Sequence, residues 1–230
     1  WTHGRPVVDE HQAHPVTTPT LALRAINRRQ ALIEAGIAAL IAGVLALAVF
    51  GPILKWIATG WSGGDMLATY VDADVWRGFG YGISQQYGFP LGMNKNYFPG
   101  LDITQNTFAY VVTLVSGKPF LGVNLLIMLT FPLVAFLAYF LVRMTGLTGP
   151  LAIAAAATFS LIPYHFGRAL GHTYLATLYS AVTGMILVLL IGSGRFEQMV
   201  RRWRRPATSR RSRVWMLVGL VVLVAVTAWS

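Results

Sequence analysis

The stretch Leu32–Phe50, LIEAGIAALIAGVLALAVF, carries a single charged residue, Glu34. Wound as a helix it rises about 28 Å, close to the ~30 Å hydrocarbon core of a bilayer. The run goes on through Ile53 to Lys55 and Trp56, an aromatic suited to the membrane–water interface. The spacing therefore predicts a first membrane span over residues 32–56. A polar stretch of some thirty residues precedes it, and the apolar run is too long for a cleavable signal peptide.

Working outward, composition sets the class. Hydrophobic residues make up 55% of the chain and charged residues 11%. An ordinary soluble domain carries about 25% charged residues. Four further apolar segments follow, over residues 120–142, 149–164, 173–192 and 214–230. The third is short and closes at Pro163, and the fifth is barely long enough to cross. The expected fold is an all-α integral membrane protein, a polytopic helical bundle with a large first extracytoplasmic loop containing short interfacial helices. The chain opens on Trp1 and stops in its last span, so it reads as an excerpt truncated at the C-terminus.

The net charge of +10 is distributed along the chain in a telling way. Arg24, Arg28 and Arg29 precede the first span, and Arg143 follows the second. Arg195, Arg201, Arg202, Arg204, Arg205, Arg210, Arg211 and Arg213 lie between the fourth and fifth. With a cytoplasmic N-terminus (residues 1–31, a tail without periodicity), every cluster falls on the cytoplasmic side. The Arg-rich loop 193–213 is then a topology anchor against anionic lipid. Trp203 is its only aromatic, and it has no room for a nucleic-acid recognition fold. The chain carries no Cys, so no disulfide framework is available. The expected location is a membrane crossed several times, with the working face extracytoplasmic.

That orientation sends residues 60–119 outside. Helix connections usually run to a handful of residues, so a loop this long is a candidate for function. It holds Asp65, Asp72, Asp74 and Asp102 on the side that basic residues avoid. Asp65 follows Gly63-Gly64 and is placed to cap a helix over residues 66–76. Asp65, Thr69, Asp72 and Trp76 would share one face of it. Asp74 lies off that stripe, three residues before Arg77. Beyond it, turn-formers alternate with aromatics from Gly78 to Pro99, a pattern that serves sugar stacking or packing on the bilayer surface equally well. Residues 104–116 read as a helix lying in the interface.

The second outer connection, Pro163-Tyr164-His165-Phe166-Gly167-Arg168 with Gly171-His172, departs from the positive-inside pattern at Arg168. Pro163 fits the first turn of a new helix. On such a helix His165, Arg168 and His172 fall at i, i+3 and i+7. A guanidinium offers a forked contact to phosphate, with His as a further donor. The alternative is an Arg that snorkels to headgroups beside two interfacial His. The His spacing is not that of a usual metal-ligand pair.

This layout, a cytoplasmic tail, a first span, a large outer loop opening with Gly64-Asp65 and a later outer His/Arg segment, resembles the GT-C superfamily of integral-membrane glycosyltransferases. More loosely, it resembles bacterial YfhO-type membrane proteins. The likeness covers roughly residues 32–192 and is one of layout more than strict motif. It implies transfer of a sugar from a polyprenyl-phosphate donor to an extracytoplasmic glycan, lipid or protein acceptor. It points to Asp65 as the base or as ligand of a divalent cation, Mg or Mn, with Asp72 in support. Many such enzymes carry adjacent acidic residues there, whereas Asp65 is followed by Met66. Arg168, His165 and His172 would bind the donor phosphate. Two other classes stay open: a transporter or flippase for a lipid-linked glycan, and a non-catalytic membrane scaffold subunit. The span interiors hold little beyond Glu34, Asn124 and Pro132, which gives a transporter no visible relay.

Overall fold

Small side chains turned inward and large apolar ones turned outward organise the first helix. In a computed structural model, which describes residues 27–50, 83–84, 93–94, 103–172, 176–204 and 210–229, the first helix is α1 (Arg28–Phe50). Its buried residues are Ala31, Ala35, Ala38, Ala42, Ala46 and Phe50, steps of three and four along one face. Leu40, Val44 and Val49 are more than half exposed on the others. In water this surface would aggregate; in lipid it is the expected one, because small residues let helices approach closely while lipid solvates the rest.

The alanine stripe packs against α3 (Pro119–Met144), which touches α1, α2 (Ile103–Ser116), α4 (Gly149–Ser160) and α6 (Leu178–Gly192). At 26 residues α3 is about 39 Å long. Pro119 occupies its first turn, where a missing N–H costs nothing. Pro132 lies inside it, opposite Gly43 of α1, with room to spare. Two clusters fill the core along α3. One joins Ala46, Phe50, Val123, Ile127, Phe131 and Ala169; the other joins Ala35, Ala38, Val134, Ala138, Ala152, Tyr179 and Val182.

Helix α2 covers the stretch read from the sequence as an interfacial helix, and it packs against α3. It folds back from Gly117-Lys118 along the first half of α3, with Ala109 and Thr113 against Gly122. Its buried face holds Gln105, Asn106 and Thr113 beside Ala109.

The third apolar segment is broken rather than short. Helix α4 ends at Ser160, Leu161 and Ile162 interrupt it, and α5 (Pro163–Gly171) resumes. Pro163 has no N–H, and the residue before it is driven to extended backbone; Ile162 has ψ 146°. Residues Gly149–Ala169 together are nevertheless long and apolar enough to cross a membrane, as are α1 and α3. The bent pair α6 and α7 (Arg195–Arg204) makes a fourth if counted as one span. Among the described residues, then, three to four segments have membrane length, and the chain is helical apart from a two-residue antiparallel pairing of β1 (Ile83–Ser84) with β2 (Met93–Asn94). The fourth apolar segment, expected over residues 173–192, contains α6 from Leu178 onward. The Arg-rich connection contains α7, set at 74° to α6 after a turn through Gly194 at φ +66°. Glu197 pairs with Arg201 at 2.7 Å on its surface. Helix α8 (Arg210–Trp229) returns beside α6 and α2.

Candidate functional site

Breaking a helix in the middle of a bundle leaves buried carbonyls that need donors. Here His165, fully buried in the first turn of α5, supplies one. Its Nδ1 lies 2.8 Å from the Ser160 carbonyl oxygen. A carbonyl only accepts, so Nδ1 carries the proton. Nε2 lies 3.0 Å from Thr130 Oγ1 of α3. In the neutral imidazole Nε2 is an acceptor, and the Thr130 hydroxyl donates to it. That hydroxyl also stands 2.7 Å from the Ile127 carbonyl, to which it would turn if Nε2 were protonated. The imidazole stacks on Phe131 with centroids 4.0 Å apart, and Ser160 Oγ donates to the Phe131 carbonyl at 2.6 Å. Phe131 also meets Phe50 and Phe166. The break between α4 and α5 is thereby locked to the middle of α3.

Arg168, one turn on, is half-buried and has its guanidinium carbon 5.0 Å from the centroid of the Tyr164 ring. That contact orients the group without neutralising it. The carboxylates among the described residues are Glu34, bonded to Tyr139 and Gln30, and Glu197, paired with Arg201. Neither is a partner of Arg168. His172 is exposed and caps α5 with non-helical backbone at φ −142°, so it leaves the helical face that His165 and Arg168 share at i, i+3. The three expected phosphate-binding residues therefore differ in setting: one interior, one half-buried, one at the surface.

Thr130 also faces a cavity of about 440 Å³ between α2, α3, α6 and α8. Leu126, Leu129, Leu133 and Leu137 of α3 line it along a length of about 16 Å. Phe108, Tyr179 and Val222 complete walls that are almost wholly apolar. Sequence reasoning missed this cavity and the partners of His165, because Thr130 and Ser160 are ordinary residues of apolar helices until the fold brings them together.

Asp65 and Asp72, the expected base and its support, lie outside the described residues, as do Asp74 and Asp102. Among the described residues no group of three or more His, Asp or Glu is placed to hold a metal ion. His165 has both ring nitrogens engaged within the protein. No protein-family model, no curated protein and no solved structure matches this chain.

Proposed function

We propose that the chain is the membrane-embedded part of a GT-C-type glycosyltransferase of the bacterial inner membrane, acting on an amphiphilic polyprenyl-phosphate sugar at the extracytoplasmic face. One observation supports this reading above the rest. An apolar cavity about 16 Å long reaches Thr130, the partner of His165, and the helix bearing His165 carries a half-buried cation with no acid partner among the described residues. A molecule with an apolar tail and an anionic head fits that combination.

In this reading the tail enters from the bilayer, and Arg168 meets the phosphate. Asp65 takes the proton of an acceptor hydroxyl as its oxygen bonds to the anomeric carbon. The bond from that carbon to the lipid phosphate breaks, and the phosphate leaves with the extra negative charge. Arg168 stabilises that charge as it builds up. His165 acts indirectly, holding α5 and hence Arg168 in place, while exposed His172 remains a further donor.

Membranes bearing the protein should transfer labelled sugar from a polyprenyl-phosphate donor. Arg168→Gln should lower kcat/KM by about 100-fold, the cost of removing one charge-stabilising donor. Because the side chain makes no ion pair within the described fold, thermal stability should stay within about 0.5 kcal/mol of wild type. Transfer at the wild-type rate by Arg168→Gln would remove this residue from the chemistry.

A second reading, translocation of a lipid-linked glycan, gains from the break at Leu161–Ile162. It lies level with Phe131, midway along α3, and discontinuous helices near the midplane are where many transporters bind cargo. Liposomes separate the two. Movement of a labelled lipid-linked glycan between leaflets without glycosyl transfer favours the transporter; transfer without movement favours the enzyme.

A further inference from the structure

At the opposite end of the α1–α3 pair stands a buried cation that neither reading uses. Tyr139 of α3 donates a hydrogen bond to Glu34 of α1 at 2.5 Å, which sets the two antiparallel helices in register. Gln30, one turn back along α1, donates to the other Glu34 oxygen at 2.8 Å. Arg143, one turn on along α3, comes level with Gln30, and Arg28 and Arg29 lie beyond it. Arg143 is only 8% exposed, and its Nε has no hydrogen-bond partner. It lies near enough to Glu34 and Tyr139 to interact electrostatically. Even so, neither Glu34 nor Glu197, the carboxylates among the described residues, forms an ion pair with it.

A guanidinium held in this way is costly. Buried charge needs a counter-charge and filled hydrogen-bond positions, and Arg143 has neither in full. Its surroundings say what would fill them. Arg28, Arg29 and Arg143 outnumber Glu34 at this end of the pair. Beside these cations the bundle exposes Leu32, Ile33 and Leu151, each more than half accessible. A free anion would leave those side chains uncovered. A phosphate carrying acyl chains would cover them while its head met the arginines.

We propose that this end of the α1–α3 pair binds the phosphate of an anionic phospholipid, with Arg143 as the interior cation and Arg28 and Arg29 at the rim. The Arg28 and Arg29 side chains are exposed and supply long-range attraction; Arg143 supplies the desolvated, charge-assisted contact that holds the head. The Tyr139–Glu34 bond fixes the helix register on which this spacing depends.

The test uses the full chain, purified in detergent and stripped of lipid. It is titrated separately with short-chain phosphatidylglycerol, short-chain phosphatidylcholine and inorganic phosphate while its melting temperature is followed. The phosphatidylglycerol should raise the melting temperature by mass action, and the other two should not at equal concentration. Arg143→Gln should weaken the apparent affinity for phosphatidylglycerol at least about tenfold, as loss of a hydrogen bond to a charged group does. The double variant Arg28→Gln/Arg29→Gln should weaken it about three- to fivefold and flatten its salt dependence, since exposed charges are screened. That variant keeps the question open to measurement if Arg143→Gln fails to fold. Equal responses to the two phospholipids, or unchanged affinity in Arg143→Gln, would overturn the proposal. An inorganic-phosphate response equal to that of phosphatidylglycerol would make this an anion site and overturn the lipid assignment.

Discussion

Gly122→Ala should lower the melting temperature of the detergent-solubilised protein by several degrees and leave Gly36→Ala, a chemically identical change, at or above wild type. The difference lies in what the new methyl group meets. At Gly122 a Cβ would stand 2.5 Å from the Ala109 carbonyl oxygen and 3.0 Å from Thr113 Oγ1. The first of these is backbone, which no rotamer change removes, so α2 must move off α3. Overpacking of this kind costs roughly 1–3 kcal/mol. It also disturbs the wall of the apolar cavity, to which α2 contributes Thr104 and Phe108. At Gly36 nothing lies within 4 Å, and an alanine there gains about 1 kcal/mol in helix propensity. Thermal unfolding of both variants, read by loss of helical circular dichroism, decides the matter. Equal melting temperatures would mean that the α2–α3 crossing is looser than described.

The second large effect belongs to His165. His165→Ala removes the donor to the Ser160 carbonyl, the partner of Thr130 and the ring stacked on Phe131, all inside a fully buried site. A cavity and an unmet buried carbonyl together cost about 2–5 kcal/mol. His165→Gln, which keeps a donor and an acceptor, should recover part of this. The result separates two roles for the residue. If His165 positions α5, stability and any Arg168-dependent activity fall together, and the glutamine variant rescues both in proportion. If the imidazole met substrate directly, activity would fall in both variants while stability stayed near wild type in His165→Gln.

These two positions also show what a sequence does and does not make legible. The long apolar runs of α1 and α3 are readable because crossing a bilayer demands about twenty apolar residues in sequence, a local property. Pro163 marks a helix start locally as well, and α5 begins there. What lay beyond reach was tertiary. Nothing local tells that α5 continues α4 beyond the break at Leu161 and Ile162 to a combined length that could cross a membrane. Nor does it tell that His165 would bond to Thr130, 35 residues earlier in the chain. Helix α7 was hidden for another reason: its charge density reads as a loop, whereas arginines at helical spacing suit a helix turned across the bundle's end. Gly122 looked like any glycine in an apolar run until α2 came to rest on it. The acidic candidates Asp65 and Asp72 are the reverse case. The sequence singles them out by position beside the first span, and they lie outside the described residues.

The measurement closest to the central claim is sugar transfer by the full-length protein in membranes, wild type beside Asp65→Asn, with a labelled polyprenyl-phosphate sugar as donor. The substitution keeps size and removes the base. Transfer should fall by at least about 100-fold at equal expression, the range lost with a general base. Equal transfer by the two proteins would contradict the role of Asp65, and no transfer by wild type would contradict the glycosyltransferase reading itself.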